Sequence, residues 1–124
     1  MNVPPPILDP VLADEFFVVQ NSDDAAQLRE MMDGFVADVG PRLVELYGYG
    51  ESGPESAETV RRALHQLRGV VANFACSAAA AQFRELERDW PALDGVTKKN
   101  RLQAAEADLQ AGIKALRERY PFLA

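Results

Sequence analysis

The chain is poor in reactive side chains: it holds one cysteine, Cys76, and one histidine, His65, in 124 residues. A single cysteine excludes an internal disulfide framework. One cysteine with one histidine cannot close a zinc site, so no metal site is expected in this chain. No apolar run approaches the ~18 residues that a membrane-spanning helix needs. The opening Met1-Asn2-Val3-Pro4-Pro5-Pro6 has neither a basic leader nor an apolar stretch, and so does not read as a secretory signal. Positive charge is also in deficit. The net charge of −6 argues against nonspecific nucleic-acid binding, because phosphates would be repelled overall. No segment sustains two-residue alternation with β-branched enrichment, so no sheet is expected. There is no internal repeat, and no low-complexity region beyond the opening prolines. These absences fit a reducing, cytoplasmic setting without membrane or nucleic-acid partners.

What remains is ordinary globular composition, 48% apolar and 26% charged, at a length that suits one core and not two. Residues 1–8 read as an extended, proline-rich lead-in, and residues 9–124 as a single domain. Asp9-Pro10 reads as an N-cap followed by a first-turn proline. With Leu12, Phe16 and Val19 at helical spacing, it predicts a short first helix over about 10–19. Asn21-Ser22-Asp23-Asp24 supplies a break, a cap and acidic first-turn residues. A second helix is expected over about 23–48, with Leu28, Met31, Met32, Phe35, Val36, Val39, Leu43 and Leu46 on its apolar face. Pro41 should bend it without ending it, because the apolar phase continues across. Gly48-Tyr49-Gly50-Glu51-Ser52-Gly53 reads as a loop. Ser52-Gly53-Pro54-Glu55 resembles a capping box for the next helix.

The third helix carries Val60, Leu64, Leu67, Val71 and Phe74 on one face. At roughly 100° per residue, the other side holds Glu58, Arg62, His65, Gly69 and Asn73, with Arg61, Arg68 and Ala72 alongside. His65 is therefore expected to be exposed. Cys76 should pack near the end of this helix, and Ser77 should cap a fourth helix over about 78–90. That helix places Ala79, Phe83, Leu86 and Trp90 in one stripe and stops at Pro91. Asp94-Gly95 is a turn, Thr97 a candidate cap and Lys98-Lys99 a solvated helix start. The last helix buries Leu102, Ala105, Leu109, Ile113, Leu116 and Tyr120. The expected fold is all-α: an up-down-up-down four-helix bundle with a short additional N-terminal helix.

Imidazole is partly neutral, and hence nucleophilic, near pH 7. Arg61, Arg62 and Arg68 lie four before, three before and three after His65, which makes them its neighbours on a helix surface. An anion on His65 would meet guanidinium groups able to pair with phosphate oxygens. For the arginines alone, a solvated helix face is the commoner explanation. Gly69 is less easily explained so, because glycine inside an exposed helix costs roughly 1 kcal/mol relative to alanine. With Ala72 it leaves a flat, open patch beside the imidazole.

His65-Gln66-Leu67-Arg68-Gly69 resembles the H-x-L-[KR]-G signature of histidine phosphotransfer (HPt) domains. Ile7-Leu8-Asp9-Pro10 resembles that family's lead-in. Asp38-Val39-Gly40-Pro41-Arg42-Leu43 resembles a second-helix segment that often carries proline. Leu86-Glu87 falls where the family has an apolar residue followed by Glu or Gln. The likeness covers roughly residues 7–118. It implies that His65 accepts a phosphoryl group through Nε2 from a receiver-domain aspartate and relays it to another. Arg68, helped by Arg61 and Arg62, would stabilise charge on the phosphoryl group. Glu87 would accept a hydrogen bond from Nδ1–H and fix the tautomer. Gln66, Gly69 and Ala72 would form the docking surface for receiver domains of response regulators or hybrid histidine kinases. The chain itself would need no cofactor, because Mg2+ and most of the catalytic machinery would sit in the receiver.

Three departures stand out. Val70 and Val71 replace small polar residues, Ala75 replaces a second glycine, and Gln82 replaces an aliphatic residue. The first two keep helix propensity; Gln82 bears on the packing of the fourth helix. Without the resemblance, Glu87 reads equally as a solvated carboxylate. A rival reading is a helical binding module that sequesters a receiver or kinase without carrying phosphate. A hydrolytic site is the weakest reading, because His65 is expected on a convex surface rather than in a pocket. Met1 and the proline lead-in suggest a free-standing chain, and an accessible His65 suggests a monomer.

Overall fold

The computed structural model describes residues 3–52 and 57–124. Among them no strand occurs, and five α-helices follow one another: α1 Pro10–Phe16, α2 Ser22–Ser52, α3 Ala57–Asn73, α4 Ser77–Asp89 and α5 Gly95–Arg119. Short 3-10 turns, Trp90–Ala92 and Pro121–Leu123, follow α4 and α5. Each of the four longer helices packs on two others: α2 and α4 each pack on both α3 and α5. The core between them is apolar, and none of its buried residues is charged. No helix among the described residues is long and apolar enough to cross a membrane.

The stripes expected on α3, α4 and α5 are all buried, including Trp90 and Tyr120. Leu64 and Leu67 are fully buried. Turning α3 to bury His65 would expose both, a loss of about 3–6 kcal/mol. That loss fixes the rotational phase of the helix.

The N-terminal expectations need correction. Asp9 does cap α1, its Oδ1 accepting from Val11 N and Leu12 N at 3.1 Å. The helix ends at Phe16, however, and Leu12 and Val19 are exposed, while Ala13 and Phe17 are buried. Phe17 leaves the helix to pack against Phe16, Phe74 and Tyr120. The aromatic cluster thus both stops α1 and shifts its buried face by one residue. On α2, Asn21 caps through Asp24 N at 2.9 Å. Met31 is exposed rather than buried.

The loop expected over 48–53 is also overturned over 48–52, because α2 continues to Ser52, while Gly53 lies outside the described residues. A Cβ at Gly50 would lie 3.7 Å from the Trp90 ring, and Tyr47 Oη donates to Glu106 on α5 at 2.8 Å. This packing offsets the poor helix propensity of the glycines. The proposed capping box falls largely on residues 53–56, outside the described residues. α2 runs unbroken through Pro41. Both Pro41 and Ala37 are exposed, so water can solvate the carbonyl that the proline leaves unpaired. At the start of α5, Asp94 rather than Thr97 is the cap, its Oδ1 accepting from Thr97 N at 2.7 Å. A carboxylate also complements the helix dipole, as a hydroxyl cannot.

The α3–α4 turn is the tightest feature. Ala75 N donates to Ala72 O and Cys76 N to Val71 O, the Schellman pattern of a helix C-terminus. Ala75 takes φ 62, the left-handed conformation that glycine adopts without strain. It is therefore not helical, and replacing glycine there costs backbone energy rather than preserving propensity. Helix α4 begins at Ser77, with Cys76 in the cap position and no side-chain cap bond. Burial pushes the Cys76 thiol up to about 12, so it is a packing group and not a nucleophile. The lead-in lies against this turn, with Ala78 N donating to Pro6 O at 2.9 Å and Asp9 N to Ala75 O at 2.8 Å. Gln82, on α4, turns its amide to Ala104 O and Asp108 on α5. A polar pair thus stands where an aliphatic residue would pack.

Two predictions test this packing. A Cβ at Gly112 would lie 2.7 Å from Cys76 Sγ, closer than side chains tolerate. Gly112→Ala should cost about 1–3 kcal/mol in urea unfolding, and adding Cys76→Ala should recover part of it. The second concerns acid. Asp14 is held down to about 2 by hydrogen bonds from Arg119 and Tyr120. A depressed carboxylate stabilises the fold above its unfolded value near 3.8 and loses that contribution as pH falls towards 2. The gap in urea midpoint between wild type and Asp14→Asn should be full at pH 6 and close between pH 4 and pH 2.

Candidate functional site

His65 stands on the outer face of α3 with its side chain 56% exposed. Its neighbour from α4 is Glu87, whose side chain is only 13% exposed. Glu87 follows the buried Leu86, so its phase tilts it into the seam between α3 and α4. There Glu87 Oε1 lies 3.1 Å from His65 Nδ1. Arg61 Nη1 lies 3.5 Å from the same oxygen, and Arg68 Nη1 lies 3.5 Å from Oε2. One carboxylate therefore gathers the imidazole and two guanidiniums.

Arg68 Nη2 also sits 3.0 Å from His65 Nδ1. The two contacts at Nδ1 exclude each other, because the atom either donates to Glu87 or accepts from Arg68. Donation to the carboxylate wins on physical grounds. A charge-assisted bond is stronger than one to a neutral ring. The reverse arrangement would set the Nδ1 lone pair against a carboxylate oxygen at 3.1 Å. Glu87 Oε2 has no hydrogen bond of its own, so a small swing of the Arg68 guanidinium from the ring to Oε2 satisfies both groups. These contacts favour an Nδ1–H tautomer, which places the lone pair on Nε2 of the exposed ring.

The other arginines differ in role. Arg61 is held mainly by Glu58, with bonds of 3.0 and 2.7 Å. Arg62 is turned to Glu58 at 3.7 Å, and nothing brings it to the imidazole. Glu58 thus withdraws two of the three expected cations, leaving Arg68 as the one in contact with the ring. Gln66 is exposed, and so is Gly69, where a Cβ would meet nothing within 4 Å. Gly69 and Ala72 form part of the wall of an open cavity of about 430 Å³ between α3 and α4. Arg68, Arg84 and Leu12 line it too. Leu12 and Ala72 also border a second cavity, against Phe16 and Met31. Reasoning from the sequence missed Arg84 and Leu12 here. The signal for Arg84 was its place three residues before Glu87, on the same side of α4.

Among the described residues, no group of three or more His, Cys, Asp or Glu could hold a metal ion. Comparison of the chain with models of known protein families, with curated proteins and with solved structures finds no match.

The tautomer can be read directly. The 15N shifts of neutral His65 should report the Nδ1–H form in wild type. In Glu87→Ala they should move towards the Nε2–H form that free imidazole side chains favour. An unchanged spectrum would mean that Glu87 does not orient the ring.

Proposed function

We propose that this chain is a histidine phosphotransfer protein. It accepts a phosphoryl group on His65 from the aspartate of one receiver domain and relays it to the aspartate of another. One observation carries this reading: the single exposed imidazole has its Nδ1 engaged by Glu87, which leaves Nε2 available to solvent. The four longer helices are read as an up-down-up-down bundle, with α1 against one end of it.

That geometry supports the following transfer. The Nε2 lone pair attacks the phosphorus of the partner's acyl phosphate. The bond from phosphorus to the aspartyl oxygen breaks, and the electron pair leaves with the carboxylate. The ring then carries phosphate on Nε2 while its Nδ1–H stays hydrogen-bonded to Glu87. The carboxylate offsets the positive character that the ring gains. Arg68 swings from Glu87 Oε2 to the equatorial oxygens of the transferring group, where a guanidinium acts on developing charge. A divalent cation and the acidic residues that hold it belong to the partner. This chain is a carrier, with the catalytic machinery supplied in trans by the receiver or kinase. The open cavity at Gly69 and Ala72 gives the partner's backbone room beside the nucleophile. An accessible His65 fits a monomer, and the single free cysteine fits a reducing cytoplasm.

The purified protein should acquire acid-labile, base-stable phosphate from a phosphorylated receiver domain. His65→Ala should acquire none, and Arg68→Ala should transfer about ten- to a hundredfold more slowly. Labelling of His65→Ala at the wild-type level would overturn the reading. If His65→Gln matched wild type in partner affinity and signalling output, the chain would instead be a sequestering module that carries no phosphate.

A further inference from the structure

We infer that Arg84 is a specificity-determining residue, reading a carboxylate on the rim of the partner's phosphoaspartate site from the α4 wall of the cavity beside His65. The inference rests on the phosphotransfer reading and names what the partner must present.

Ala80, Arg84 and Glu87 follow one another along α4 at spacings of four and three, which places them on one side of the helix. Arg84 therefore stands about one turn before the carboxylate that orients His65. It lines the same cavity as Arg68 and Gly69. Small residues, Gly69 and Ala72 on α3 with Ala80 and Ala81 on α4, line the cavity with the two arginines. Pro5, Leu12 and Ser77 complete the lining, so a partner seated in the cavity meets both arginines.

The two guanidiniums differ in what they touch. Arg68 contacts His65 and Glu87. Arg84 is exposed and, like Arg29 and Arg117, forms no ion pair among the described residues, whereas Arg42, Arg61, Arg62, Arg88, Arg101 and Arg119 each pair with a carboxylate of the chain. On a chain of net charge −6, Arg84 is thus a cation on the wall of the cavity it shares with Arg68 and Gly69, with no carboxylate partner among the described residues. The chemistry of the partner supplies its counterpart. A phosphoaspartate site is anionic through the phosphoryl group and through the carboxylates that hold its divalent cation. An exposed cation at the edge of such a contact acts on association rather than on the reacting atoms. Arg84 is thus a recognition residue, and Arg68 the residue that meets the phosphoryl group.

The test uses full-length protein and purified receiver domains phosphorylated with acetyl phosphate. The receiver that transfers fastest to wild type serves as the probe. Single-turnover rates are followed against receiver concentration at low and high NaCl for wild type, Arg84→Lys and Arg84→Glu. Arg84→Glu should raise KM about tenfold at low salt while the saturating rate stays within about twofold. The difference should shrink at high salt, as screening requires. Arg84→Lys should stay near wild type, because it keeps the charge. If wild type is phosphorylated and Arg84→Glu has an unchanged KM, the inference is overturned and the phosphotransfer reading stands. A loss confined to the saturating rate would also overturn it. If no receiver phosphorylates wild type, the phosphotransfer reading fails and this inference fails with it.

Discussion

The hydrogen bond between Glu87 and His65 Nδ1 is the interaction on which the site depends. It crosses from α4 to α3, so it exists only where those two helices meet in this register. The carboxylate is largely shielded and the imidazole largely exposed, so the carboxylate is the fixed partner and the ring the one it orients. A bond of this charge-assisted kind is worth roughly 1.5–3 kcal/mol, enough to choose one tautomer over the other. Arg61 and Arg68 approach the same carboxylate. Its negative charge is thereby balanced without ending its hold on the ring.

The rest of the molecule sets that register. Leu64 and Leu67 lock the rotation of α3, and Leu86 does the same for α4. The turn between them closes through the left-handed Ala75, with Cys76 pressed against Gly112 of α5. The lead-in strengthens the same turn through Pro6 O and Asp9 N. Asp14 then ties α1 to Arg119 at the end of α5. This leaves Leu12 of α1 at the edge of both cavities beside the histidine helix. The surface around His65 is therefore built from three separate segments, although the imidazole comes from one.

Much of this was legible in the sequence where a single helix decides the answer. The stripe of α3 is long and regular, so the exposure of His65 followed from periodicity alone. The phase of α1 was not legible, because a short helix ending in adjacent Phe16 and Phe17 offers two apolar registers. Tertiary contacts to Tyr120 and Phe74 choose between them. The glycines at 48 and 50 read as a loop until Trp90 and Tyr47 are seen to pack there. Ala75 reads as a helix former, and only the turn geometry exposes its left-handed backbone. Glu87 was placed by resemblance rather than by pattern, since the register between two helices is not written in either of them. Arg84 went unnoticed for the same reason. Its significance lies in a cavity that appears only when α3 and α4 are brought together.

The central claim is that Glu87 holds Nδ1 so that Nε2 of His65 carries the phosphoryl group. Phosphorus NMR of the protein after incubation with a phosphorylated receiver tests it most directly, because the two ring positions give distinct phosphohistidine resonances. The account predicts a single Nε2-phosphohistidine signal that is absent from His65→Ala. A signal from Nδ1-phosphohistidine, or none under conditions that phosphorylate a control carrier, would contradict it.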